Sequence, residues 1–147
     1  MREIVRVNMA TGAISKEPLP AEWSRYGGRA LTSALVFKEV PADADPLGPD
    51  NKLIIAPGLL GGTAAPNGGR LSVGAKSPLT GGLKESNSGG TAAHALGKMG
   101  IAAIIIEGVP SDKTVSYVLR LFPDGKIDLV ARHDLKGLGT YETVAVA

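Results

Sequence analysis

The residues best suited to chemistry lie in a glycine-rich stretch. Gly81-Gly82-Leu83-Lys84-Glu85-Ser86-Asn87-Ser88-Gly89-Gly90 leads into Thr91 to Met99. That segment reads as a helix closed by Gly100, because glycine tolerates the left-handed conformation just past a helix end. Asn87 and Ser88 are strong N-cap types, and Gly89-Gly90 let a ligand approach backbone N–H groups with no Cβ in the way. A helix start with exposed N–H groups and a positive dipole end suits phosphate. An ordinary capped helix after a turn has the same spacing, and the stretch is neither a Walker A loop nor the dinucleotide fingerprint. Arg70 follows Pro66-Asn67-Gly68-Gly69 and opens a strand. Its guanidinium could grip a phosphate or a planar heterocycle through two parallel bonds. A solvated strand-edge arginine reads identically.

The remaining polar candidates are weaker. His94 falls inside the Thr91–Met99 helix and His133 in a polar loop, where histidines are usually structural or solvated. Asp43, Asp45 and Asp50 share a proline-rich loop, and Lys76-Ser77-Pro78-Leu79-Thr80-Gly81 reads as a turn. No nucleophile–base pair and no metal-ligand spacing is visible, so no residue is assigned a catalytic role. By residue chemistry alone, this is a glycine-rich anion-binding domain.

The elements that must carry these residues follow from patterning. Glu3 to Asn8 alternates, Thr11-Gly12 turns and Ala13 to Lys16 returns, a β-hairpin. Pro20-Ala21-Glu22 opens a short helix interrupted at Gly27-Gly28. A longer helix follows over Arg29 to Val40, with Ala30, Leu31, Ala34, Leu35 and Lys38 at helical spacing. Lys52 to Ala56, Arg70 to Ala75 and Ala102 to Gly108 read as strands. Val115 to Phe122 and Lys126 to Ala131 form a second hairpin around Pro123-Asp124-Gly125, and Thr140 reads as an N-cap with Glu142 in the first turn. Hairpin, glycine-containing entry and helix thus occur twice. The repeat indicates either an internal duplication, with one unit over about 1–110 and the start of another over about 112–147, or a chance match between alternating strands.

Composition narrows the classes further. The 147 residues fit one domain. With no cysteine, the chain has no disulfide, thiolate metal site or iron–sulfur ligand of its own. A net charge of +2 and 4% aromatic residues do not make a nucleic-acid surface. The longest apolar run, Ile101 to Ile106, is far short of the roughly 20 residues of a membrane span. No apolar leader opens the chain, so a cytoplasmic location is expected. Glycine and proline together supply 30 of the 147 residues, about a fifth, against an average near 12%.

Taken in order, four stretches resemble the N-terminal domain of the tungsten-containing aldehyde ferredoxin oxidoreductases. They are Asn51 to Gly58, Gly62 to Arg70, Lys76 to Gly81 and Asn87 to Gly90. Ile4 to Asn8 with Thr11-Gly12, and Ala103 to Gly108, are similar too. The resemblance spans essentially the whole chain. It implies a strand-rich, internally duplicated α+β fold forming the base for a tungsten or molybdenum ion held by two pterin dithiolenes (tungstopterin or molybdopterin), with magnesium bridging the pterin phosphates. It places Arg70 between pterin and iron–sulfur cluster. Asn87 and Gly89 would touch a pterin and its phosphate, with Asn87 also serving the magnesium; Ser88 and Gly90 complete the cofactor-binding set.

Leu59-Leu60-Gly61 departs from the family's usual proline- and threonine-containing turn. The second glycine-rich turn and the two helical domains carrying cluster cysteines and substrate channel are absent. The sequence therefore reads as a single incomplete cofactor-binding domain, 1–147, with its second repeat truncated. It would act with the remainder of the enzyme or a partner subunit, and through that with ferredoxin, to oxidise aldehydes to carboxylic acids, without turnover by itself. A stand-alone phosphate- or anion-binding module and a structural remnant whose site is never filled are the other readings. Truncation also predicts that Ile101 to Ile106 and Leu53 to Ala56 are left uncovered, favouring an oligomer.

Overall fold

The computed structural model describes residues 2–146, which divide into two compact units, one ending at Val109 and one beginning at Pro110. In the first, β1 (Glu3–Asn8) and β2 (Ile14–Pro18) form the expected hairpin. Asn8 Oδ1 accepts the N–H groups of Ala10 and Thr11, and Gly12 takes a left-handed φ of 72°. A 3-10 turn (Ala21–Trp23) precedes α1 (Gly28–Glu39). The chain continues through β3 (Lys52–Pro57), β4 (Arg70–Lys76), β5 (Leu83–Gly89), the short helix α2 (Ala92–Lys98) and β6 (Ile101–Glu107). The mixed sheet has the order β2-β1-β6-β3-β4-β5, with β6 parallel to β1 and antiparallel to β3.

Alternation along the strands decides what each face carries. On one face Ile4, Ile54, Ala56, Ala103 and Ile105 meet Leu31, Leu35 and Val36 of α1, with Trp23 at the margin. Burying a large aliphatic side chain of this kind contributes roughly 1.5–3 kcal/mol over leaving it in water. The helix lies unusually close to β4 because position 74 is glycine: a Cβ there would be 2.7 Å from Thr32 Cβ.

The expectation that Ile101 to Ile106 would be uncovered is overturned. Consecutive apolar residues suit a strand covered on both faces, and β6 lies between β1 and β3 with Ile101 to Ile105 buried. In Leu53 to Ala56, Ile54 and Ala56 are buried too, and only Leu53, 42% exposed, is substantially open.

One end of the same face carries charge. Arg6 donates to both carboxylate oxygens of Glu39 at 2.8 and 2.9 Å and to Glu17 at 2.8 Å. Lys52 donates to Glu39 at 2.8 Å and to Glu107 at 2.7 Å. The hydrogen bonds from Arg6, then those from Lys52, outweigh burial and hold the Glu39 carboxyl down at about 2. Burial pulls Lys52 down, but its bonds to Glu107 and Glu39 leave its pKa raised overall.

A carboxyl depressed on folding stabilises fully above its unfolded value, 4.5, and loses that contribution as pH falls towards about 2. Glu39→Gln is expected to lower stability at neutral pH by about 2 kcal/mol, because Arg6 and Lys52 lose a shared anion. It should also flatten the decline between pH 4.5 and about 2. Urea unfolding across that range checks both, and an unchanged acid limb would contradict the assignment.

The second unit pairs β7 (Ser116–Leu121) with β8 (Ile127–Arg132), tied across the strands by Arg120 and Asp128 at 2.9 Å, and ends in α3 (Thr140–Val146). It repeats the order hairpin, glycine-containing entry and helix. Thr140 is the first helical residue rather than the cap; the Gly139 N–H donates to Glu142 Oε2 at 2.8 Å, the reaching-back half of a capping box. No described helix is long and apolar enough to cross a membrane.

Candidate functional site

Two of the residues expected to cap a helix are in a strand. Asn87 and Ser88 belong to β5, which pairs with β4 in continuous register from Lys76↔Leu83 to Arg70↔Gly89. Helix α2 begins at Ala92; Thr91, at its cap position, makes no side-chain capping bond, and the helix is only seven residues long. The Gly90 N–H is used by Gly69 O at 3.1 Å. Asn87 and Ser88 therefore do not cap the helix, and the Gly90 N–H is not a free donor. Strand alternation also separates Ser88 from its neighbours: Asn87 and Gly89 share the α1 face of the sheet, and Ser88 points the opposite way.

Register assembles a different corner. Arg70 is paired with Gly89 and Ser72 with Asn87, placing all four on one face. A Cβ added to Gly89 would lie 3.3 Å from Arg70 Nη1, so the missing side chain leaves room for the guanidinium. Arg70 is exposed, and among the described residues its guanidinium has no hydrogen-bond or ion-pair partner. Gly90, with φ 133°, is open on its side-chain side: a Cβ there would meet nothing within 4 Å.

Asn87 is oriented by groups that residue types and spacing did not single out. Its Nδ2 donates to buried Ser72 Oγ at 3.1 Å and to Glu85 Oε1 at 3.2 Å. The hydroxyl of Ser72, with Asn87 and Arg29, holds the Glu85 carboxyl below its ordinary range. With Nδ2 committed inward, Asn87 Oδ1 is left as an acceptor for a donor or a cation. A small residue at position 72 and period-two spacing of Glu85 and Asn87 could have signalled this only once Leu83 to Gly89 was known to be a strand.

The glycine-rich segment 58–69 is fitted against α2 by backbone contact. A Cβ on Gly97 would overlap the carbonyl of Gly61, and one on Gly62 would fall 2.5 Å from Lys98 N. The Gly62 N–H donates to His94 Nδ1 at 3.1 Å. Asn67, the non-glycine residue with positive φ (58°) among those described, turns the chain towards Arg70. Among the described residues no group of three or more His, Asp or Glu side chains is placed to hold a metal ion.

A mixed sheet with α1 against one face, and an open arginine–glycine corner at its β4–β5 edge, define an α+β domain with a polar surface site. The chain belongs to the aldehyde ferredoxin oxidoreductase family: residues 4–146 match the model of its N-terminal domain. It is 44% identical over 116 residues to the tungsten-containing aldehyde ferredoxin oxidoreductases of Thermococcus kodakarensis and Pyrococcus furiosus. Those matches cover 78% of this chain and 19% of each relative. Among solved structures, the active site complex BamBC of benzoyl coenzyme A reductase, in complex with 1,5-dienoyl-CoA, superposes with a TM-score of 0.89 at 29% identity, covering 98% of this chain and 22% of that one. The chain thus spans about a fifth of the length of the proteins it matches.

Proposed function

We propose that this chain seats the pterin-bound tungsten or molybdenum of an aldehyde ferredoxin oxidoreductase-like enzyme. The carrying observation is the unpartnered Arg70 guanidinium beside Gly89, on the same face as an Asn87 whose amide is turned to leave Oδ1 available. These groups fit the cofactor's chemistry: a cation with planar donors for phosphate or a pterin ring, a glycine edge admitting close approach, and an oxygen for magnesium. We assign cofactor contact to Arg70, Asn87, Gly89 and Gly90 and magnesium contact to Asn87, and leave out Ser88, which points to the opposite face. When bound, the metal would supply the two-electron redox chemistry, and this chain would position it.

Electrons must then leave through groups this chain does not own. It has no cysteine, so the ligands of any iron–sulfur cluster belong to another segment or subunit, which would in turn meet ferredoxin. Aldehyde oxidation is favoured as the overall reaction by the 44% identity to the tungsten-containing relatives. The likeness to a benzoyl coenzyme A reductase complex supports a reading in which substrate choice is made outside this domain.

Expression with a cysteine-bearing remainder, followed by metal analysis, pterin fluorescence and aldehyde-dependent viologen reduction, tests the reading. The chain alone is expected not to turn over, and aldehyde-dependent dye reduction by it would contradict the proposal. Arg70→Ala is expected to change stability by no more than about 0.5 kcal/mol, as for an exposed position. In the assembled enzyme it should lower pterin retention and slow electron transfer to the cluster. Unchanged retention and transfer would exclude Arg70 from the site.

A further inference from the structure

His94 touches the loop that delivers Arg70 at two points, Gly62 within it and Gly69 at its end. Its Nδ1 accepts the Gly62 N–H at 3.1 Å, which requires a lone pair on Nδ1 and, in the neutral ring, places the proton on Nε2. The ring also closes over Gly69, where a Cβ would lie 3.2 Å from both Cδ2 and Nε2. Gly69 O in turn accepts the Gly90 N–H, joining the loop's end to the β5–α2 junction. Bonds inside the loop, such as Thr63 Oγ1 to Leu60 O at 2.7 Å, shape it without fastening it to the helix.

We propose that His94 is a positioning residue: by holding Gly62 and Gly69 against α2, it fixes where Arg70 stands relative to Gly89. The proposal rests on the reading of that corner as an anion site. Without the clasp, the loop would keep its internal turns but lose a side-chain tether to α2, and the Arg70 guanidinium would sample a wider volume. The cost would appear as weaker anion binding from lost preorganisation.

The test uses the isotopically labelled full chain, with inorganic phosphate as the probe. Nitrogen shifts of the imidazole should show His94 Nδ1 unprotonated and Nε2 protonated in the neutral ring. His94→Ala should accelerate exchange of the Gly62 amide and weaken phosphate binding about threefold to tenfold, the scale of one net hydrogen bond. His94→Asn, whose Oδ1 can accept in place of Nδ1, should recover both, a rescue that general loss of packing would not produce. Unchanged Gly62 exchange in His94→Ala would overturn the clasp. Faster exchange with unaltered phosphate binding, where Arg70→Ala abolishes that binding, would overturn the positioning role alone. Phosphate binding that survives Arg70→Ala would sink the anion-site reading and the positioning role together.

Discussion

Gly97→Ala is expected to destabilise the protein by about 2 kcal/mol, although alanine is the better helix former by about 1 kcal/mol. The added Cβ would overlap the Gly61 carbonyl carbon and oxygen and sit 2.8 Å from Gly62 N. All three are backbone atoms, so no side-chain rotation relieves the overlap, and either α2 or the loop must move. Overpacking of this kind costs typically 1–3 kcal/mol and sometimes more, which exceeds the propensity gain. The movement should also break the His94–Gly62 hydrogen bond and displace Arg70. A melting temperature lower by roughly 5–10 °C is the expected signature, with weaker phosphate binding alongside. A variant that melts higher than the parent would show that propensity wins and that the loop does not rest on α2.

Gly89→Val should do the opposite: spare the fold and weaken the site. Gly89 lies at the end of β5 without a positive φ, and valine suits a strand. Its Cβ would meet only the far end of Arg70, at 3.3 Å, so the guanidinium would swing aside rather than the sheet deform. Stability is therefore expected to stay within about 0.5 kcal/mol of the parent. Loss of the arginine's placement and of close approach to the glycine edge should weaken anion binding by about tenfold or more, the scale of a charge-assisted contact. In the assembled enzyme, pterin content per chain should fall correspondingly. Full cofactor loading with an intact fold would remove Gly89 from the site.

The two substitutions separate what glycine does at different places. At position 97 it permits two backbones to touch, a packing requirement. At position 89 it leaves a surface open beside a cation, which affects binding and leaves folding nearly indifferent. Composition shows both only as an excess of glycine. The neighbours at each Cβ position distinguish them.

Local patterning accounts for most of the elements. Period-two alternation specifies β1, and the return through Ile14 its hairpin; apolar residues at helical spacing specify α1, and the Ile101-to-Ile106 run a strand, whose cover by β1 and β3 the sequence did not foretell. Ordered motifs from Asn51 to Gly90 were enough for the family resemblance, and the match over residues 4–146 agrees with it. Strand β5 was not legible. Lys84-Glu85-Ser86-Asn87-Ser88 has neither β-branched residues nor an apolar face, and its extended form depends on the hydrogen-bonding edge offered by β4. Once that pairing forms, period two separates Asn87 from Ser88, register sets Arg70 opposite Gly89, and Ser72 turns the Asn87 amide. His94 was equally hidden, because a histidine in a short helix acquires its role only when Gly62, 32 residues earlier, is folded against it. Residue order alone identifies which side chains could meet an anion and which family pattern they follow. Which of them share a face is settled in three dimensions, because strand register and the close approach of glycine backbones are long-range contacts that no local window contains.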